Sequence, residues 1–262
     1  MPEYLDLAVD LALKAGRMIK EMLKQRHTIT YTYKGEVDLV TEADLKSESL
    51  ITEGIKKLFP DHNILAEESG LLQHESDYVW IIDPLDGTTN YAHGFPLYGI
   101  SIALEYKGEV IIGVVYDPSL DELFTAEKGK GAFLNGSPIR VSGITTLNES
   151  LLATGFPYFY RERPEYILKY FRAFSVRAQG VRRAGAATID LTGLACGRFD
   201  GYWEVGLKPW DMAAGGLIAT EAGAKITKFN GDTFDIRVPE MLASNGLIHD
   251  EMLEIIKSIE EN

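Results

Sequence analysis

The chain has 262 residues, 45% hydrophobic and 25% charged, with 13 Tyr, 11 Phe and 3 Trp. That is enough for one large domain or two joined lobes around a sizeable core, and it excludes a disordered chain. A net charge of −13 disfavours direct contact with nucleic acid or an anionic membrane, and repels an anionic substrate unless a metal or a local basic site reverses the sign.

The N-terminus, Met1-Pro2-Glu3, carries no signal-peptide pattern. From Tyr4 to Met22 the apolar residues Leu5, Ala8, Leu11, Ala15, Ile19 and Met22 recur at spacings of three and four, which predicts an amphipathic helix. Thr28–Tyr33 alternates like a strand. A second helix is predicted over Thr41–Phe59, with Thr41 as N-cap and Asp44 as its capping-box partner. Ile64-Leu65-Ala66 and Val79-Trp80-Ile81-Ile82 read as short buried strands that end at Glu67-Glu68 and at Asp83-Pro84. Strands follow at Tyr98–Tyr106, Val110–Tyr116 and Glu122–Ala126, with turns at Lys107-Gly108 and Asn135-Gly136.

Beyond residue 145 the pattern changes. Strands are predicted at Leu151–Thr154, Phe199–Glu204 and Ala224–Phe229. Helices are predicted at Tyr166–Phe174, Ala186–Cys196, Met212–Ala222 and Leu247–Ile259, two of them rich in small residues and closed by Gly197 and Gly223. The longest apolar runs, such as Ile111–Val115, are strand-sized, far short of the roughly 18 residues of a membrane helix. The single cysteine, Cys196, excludes an intramolecular disulfide and a Cys-based zinc site. These features point to a cytoplasmic α+β protein with two closely joined lobes, residues 1–145 and 146–262.

The segment Trp80-Ile81-Ile82-Asp83-Pro84-Leu85-Asp86-Gly87-Thr88-Thr89-Asn90 concentrates chemistry. A buried strand delivers Asp83, Asp86 follows three residues later, and a helix starting near Gly87 would offer free N–H groups to an anion. Two carboxylates ~4 Å apart repel by ~4 kcal/mol at an effective dielectric near 20. A cation such as Mg²⁺ or Mn²⁺, which prefers hard oxygen ligands, removes that repulsion. Read alone, Asp83 also serves as a turn cap, Glu67-Glu68 as a solvated turn, and Asp211 in Lys208-Pro209-Trp210-Asp211 as a helix N-cap. Asp38, Thr41 and Asp44 fit either a helix cap or groups that orient a water.

Together, Val37–Asp44, Ala66-Glu67-Glu68-Ser69, Trp80–Asn90, Gly129–Gly136 and Pro209–Gly223 resemble the motifs of the inositol monophosphatase family, within the lithium-sensitive, magnesium-dependent phosphatases that include fructose-1,6-bisphosphatase. The resemblance implies a layered αβαβα sandwich and a phosphomonoesterase acting on inositol monophosphate or a related sugar phosphate. Fructose 1,6-bisphosphate and adenosine 3′,5′-bisphosphate are the alternative substrates, and a regulatory role without catalysis is a further one. It implies two or three Mg²⁺ ions (Mn²⁺ substituting) held by Glu67, Asp83, the Leu85 carbonyl, Asp86 and Asp211. Glu67, Thr88, Asp44 and Asp38 would serve the attacking water. Asp86, Gly87, Thr88, Ala187, Glu204 and Asp211 would contact substrate, and Arg182 or Arg183 a second phosphate. Relatives imply a homodimer. Lys34 lies near the family's active-site lysine, one residue short of its spacing, and residues 155–178 match no motif, although the resemblance implies that this stretch helps line the substrate pocket.

Overall fold

The computed structural model describes residues 2–24, 31–33 and 39–260. The first half comprises α1 (Pro2–Leu23), β1 (Tyr31–Tyr33), β2 (Leu39–Thr41), α2 (Glu42–Leu58), β3 (Asn63–Ala66), β4 (Gly70–Leu72), β5 (Tyr78–Asp86), α3 (Thr88–Ala92), β6 (Gly99–Tyr106), β7 (Glu109–Asp117), β8 (Glu122–Glu127), β9 (Ala132–Leu134) and β10 (Ser137–Ile139). The second comprises β11 (Leu151–Thr154), α4 (Pro164–Ser175), β12 (Gly180–Arg182), α5 (Ala187–Ala195), β13 (Gly201–Val205), α6 (Pro209–Glu221), β14 (Lys225–Thr227), β15 (Glu240–Ser244) and α7 (His249–Glu260).

Hydrophobic patterning explains the layers. In α1 the residues Ala8, Leu11, Ala12, Ala15 and Ile19 form one buried stripe, which packs with α2 on the outer face of an eight-stranded sheet. That sheet runs β10-β9-β8-β7-β6-β5-β3-β4. Its other face meets α5 and α6, whose runs of small residues are buried over most of their length and therefore suit a layer covered on both sides. A five-stranded sheet, β12-β11-β13-β15-β14, closes over these helices, and α4 and α7 cover its far side. The expected αβαβα sandwich is thus formed. No helix among the described residues is long and apolar enough to cross a membrane.

Local signals hold in α2: Thr41 Oγ1 accepts from the Ala43 N–H at 3.1 Å and Asp44 Oδ2 accepts from the Thr41 N–H at 2.8 Å. Three expectations are corrected. The strand predicted to end at Asp83 continues to Asp86, because the ladder with β6 jumps from Asp83–Ser101 to Asp86–Gly99 across Pro84, which has no N–H to give. Helix α6 begins a turn earlier than predicted, at Pro209, so Asp211 is its third residue rather than its cap. Strand β13 starts at Gly201, since the Asp200 carboxylate is spent on Ser142 and the Leu151 N–H. Strands β2, β4, β12 and β15 were not predicted. Thr28–Thr30, Lys34 and Asp38 lie outside the described residues.

Candidate active site

Strands β3 and β5 run parallel, and their register pairs Ala66 with Ile82. The next residues are therefore neighbours, Glu67 beside Asp83, and the Glu67 N–H donates to the Ile82 carbonyl at 3.2 Å. Two carboxylates from separate strands are thus set side by side by backbone pairing alone.

Past Asp83 the chain bends at Pro84. Asp83 Oδ1 accepts from the Leu85 N–H at 3.0 Å. Gly87 then turns the chain with φ +87°, where a Cβ would stand 2.9 Å from the Leu97 carbonyl oxygen, so only glycine fits. Helix α3 follows at once. The Thr88 hydroxyl donates to Asp44 Oδ1 at 2.8 Å and lies 3.1 Å from the Leu85 carbonyl.

The second half supplies the opposite wall. Thr188, in the first turn of α5, donates its N–H and its hydroxyl to Asp86 Oδ2 at 2.7 and 2.6 Å. Asp211 Oδ2 accepts from the Lys208 N–H at 2.6 Å at the start of α6. On β13 the buried Tyr202 hydroxyl donates to Glu204 Oε2 at 2.5 Å. Glu67, Asp83, Leu85, Asp86, Gly87, Thr88, Ala187, Glu204 and Asp211 all line one cavity of about 330 Å³. So do Gly155, Phe156, Pro157, Gly206 and Lys208.

Electrostatics set this cavity apart. Burial, then the charges of Glu67, Asp86 and Asp211, push the Asp83 carboxyl well above the usual carboxylate range. Burial, then Asp86, do the same to Asp211, and burial raises Asp86. Glu204 is pushed up to about 7, mainly by burial, against its hydrogen bond from Tyr202 and the nearby Arg183. Beneath the cavity Asp190 is 1% exposed, both of its carboxylate oxygens lack a hydrogen-bond partner, and its acid is held well above the ordinary range by burial and then by Glu204 and Asp86. Among the described residues no three His, Cys, Asp or Glu side chains stand as a closed ligand set around one point. The acids line one cavity from its two walls instead. An all-oxygen, anionic donor set of this kind suits Mg²⁺ or Mn²⁺.

The cavity gathers every predicted residue described except Asp44, which backs Thr88 from behind, and Arg182. Arg183 lines it, with its guanidinium carbon 5.6 Å from the Phe156 ring centroid. Arg182 ends β12 exposed, its guanidinium on the Val181 carbonyl. Gly155, Phe156 and Pro157 fall within the stretch 155–178 that the resemblance implies as pocket lining; sequence reasoning missed Thr188, Asp190 and Tyr202. Of these only Tyr202 left a signal, because it sits two residues from Glu204 and therefore on the same face of a strand.

A model of the inositol monophosphatase family matches residues 1–261. The Nus factor SuhB of Vibrio cholerae is 46% identical over 246 residues, covering 94% of this chain and 92% of that protein. The inositol-1-monophosphatase of Synechocystis sp. is 45% identical over 255 residues, covering 97% and 88%. Among solved structures, the inositol monophosphatase from Anabaena (Nostoc) sp. superposes with a TM-score of 0.89 at 44% identity, covering 98% of this chain and 96% of that one. The extragenic suppressor protein suhB from Bartonella henselae reaches 0.93 at 38% identity, covering 97% and 98%.

Proposed function

The chain belongs to the inositol monophosphatase family and is a phosphoric monoester hydrolase; we propose that it hydrolyses inositol monophosphate or a related sugar phosphate by direct attack of water, with divalent cations held by Glu67, Asp83, the Leu85 carbonyl, Asp86 and Asp211. One observation carries this reading. Five carboxylates line a single cavity, and beyond burial the charges of Glu67 and Asp86 help raise the acids of Asp83 and Asp211, a cost that a phosphate anion alone would deepen and that divalent cations reverse. When bound, such ions supply Lewis acidity toward the phosphoryl oxygens and acidify a water.

The remaining steps belong to the chain's own residues. Thr88 commits its hydroxyl hydrogen to Asp44 and the Leu85 carbonyl. Its oxygen is left to accept a hydrogen bond from the attacking water, whose lone pair then faces the phosphorus. Glu67 orients that water from the β3 side, and Asp44, with a pKa raised by burial, draws the proton through Thr88. The Gly87 and Thr88 amides receive the phosphate. Asp86, Asp211, Ala187 and Glu204 contact the hydroxyls of the leaving polyol. Metal-depleted protein, assayed on inositol 1-phosphate while Mg²⁺ is added back, tests this. Turnover returns with the ion in the wild type and stays absent in Asp86→Asn. Near-wild-type turnover in that variant overturns the reading.

Arg183 favours a second substrate class, the sugar bisphosphates, since it brings a cation to the cavity that Arg182 does not. Arg183→Ala then raises KM for fructose 1,6-bisphosphate far more than for inositol 1-phosphate. Relatives named Nus factor SuhB motivate a regulatory reading. The net charge of −13 weighs against bare RNA as the direct partner.

A further inference from the structure

We propose that Ser47 and Glu48 are positioning residues that lock both strand ends of the site to one face of α2. The inference rests on the metal-site reading above. Asp44, Ser47 and Glu48 are spaced three and four apart and therefore share a helix face. All are buried, at 0, 0 and 6% exposed. A helix face turned to a sheet is ordinarily apolar, and burying a hydroxyl and a carboxylate there costs free energy unless each is hydrogen-bonded.

Each is bonded, and each to a different stretch of the cavity wall. Asp44 accepts from Thr88 at 2.8 Å. The Ser47 hydroxyl donates to the Pro84 carbonyl at 2.7 Å. Glu48 Oε2 accepts from the Glu68 N–H at 2.8 Å. The partners sit beside the acids: Pro84 between Asp83 and Leu85, Glu68 next to Glu67, and Thr88 two residues after Asp86.

The bonds fall where the sheet's own pairing gives out. At Pro84 the ladder with β6 skips from Asp83 to Asp86. At Glu67 the chain has passed the end of β3. In both places α2 supplies the anchor. Thr52, one turn further along, bonds among the described residues only within α2, to the carbonyls of Glu48 and Ser49. It serves as the control for loosening the helix without touching the wall.

The experiment uses the full-length, metal-depleted chain titrated with Mn²⁺ alone, read by electron paramagnetic resonance, beside a thermal melt. Removing an outer hydrogen bond to a ligand-bearing segment weakens metal binding by about 10–100-fold. Ser47→Ala and Glu48→Ala weaken Mn²⁺ binding in that range. Glu48→Gln, which keeps an acceptor oxygen, stays near wild type. Thr52→Ala lowers the melting temperature and leaves Mn²⁺ affinity unchanged. Wild-type affinity in both alanine variants, with only the melt lowered, overturns the proposal. So does a Glu48→Gln as weak as Glu48→Ala, which would make the charge and not the bond responsible. Ser47→Ala is the smaller excision and carries the test should Glu48→Ala not fold. A wild type that binds no Mn²⁺ removes the metal-site reading itself, an outcome separate from any difference among variants.

Discussion

Thr188 places two donors, its backbone N–H and its hydroxyl, on the same oxygen of Asp86. The acid belongs to the eight-stranded sheet, and the donors to the helix layer beneath the second sheet. A hydrogen bond to a charged acceptor contributes about 1.5–3 kcal/mol. Thr188→Val keeps the volume and the N–H but deletes the hydroxyl. Turnover is expected to fall about 10–100-fold, one such bond's worth, with Thr188→Ser close to wild type. Steady-state kinetics decide it; a fully active Val variant would mean that the amide suffices.

Asp83 carries two opposed roles, which one substitution separates. Its folded pKa is raised, so its stabilising contribution is complete below the unfolded carboxylate value, near 3.9, and declines as pH rises through that value toward the folded one. In chelator at pH 7, Asp83→Asn is therefore expected to melt above wild type, while the Leu85 N–H still finds an Oδ1. At pH 4 the gap narrows. Phosphatase activity with Mg²⁺ falls at least about a hundredfold. A variant that melts lower in chelator at pH 7 refutes this account of the buried charge.

Glu204 gives a narrower window. Its pKa rises from the model-compound value of 4.5 to about 7, so the folded state holds the proton more tightly and stability falls as pH climbs between those limits. At about 1.4 kcal/mol per unit the loss is at most about 3.5 kcal/mol. Glu204→Gln removes it and still accepts from Tyr202. Urea denaturation in chelator at pH 5 and pH 8 should show a gap for wild type that is larger by this amount than for the variant. Equal gaps contradict it.

Gly113 on β7 lies under α6. A Cβ there would stand 2.7 Å from the Ala214 carbonyl oxygen and 3.1 Å from its Cα, both backbone atoms that cannot rotate away. Gly113→Ala must lift the helix that carries Asp211, at about 1–3 kcal/mol or more, and activity should fall with stability. Gly143→Ala, with nothing within 4 Å of the added carbon, should stay within about 0.5 kcal/mol of wild type. Denaturant midpoints and turnover for the pair check both halves of the claim.

What could be read in advance follows the range of the interactions. The cap at Thr41 and Asp44 is closed within a few residues, so spacing reveals it. The stripe of α1 and the glycine ends of α5 and α6 are equally local. The acids stood out because Asp83 and Asp86 interrupt an apolar strand. The continuation of β5 through Pro84 was hidden, since a proline ordinarily ends a strand and only the partner strand shows where pairing resumes. Arg182 and Arg183 are adjacent and chemically alike, and only the exit of β12 decides which one faces the cavity. Thr188 meets Asp86 across 102 residues and Glu48 meets the Glu68 amide across 20, and no periodicity announces such partners. Strand β15 is paired on both sides in its sheet but is only five residues long, below what its short apolar run could betray.

Chain order adds one consequence. Three of the four proposed ligand acids are synthesised before residue 90, whereas Asp211 arrives with the helix that fills the space between the two sheets. A nascent polypeptide leaving the ribosome therefore holds an incomplete set of the proposed ligand acids beside an uncovered apolar sheet face until that helix docks. A chain cut short before that helix lacks one proposed ligand acid and leaves an apolar sheet face uncovered, so it is expected to show no phosphatase activity and to aggregate.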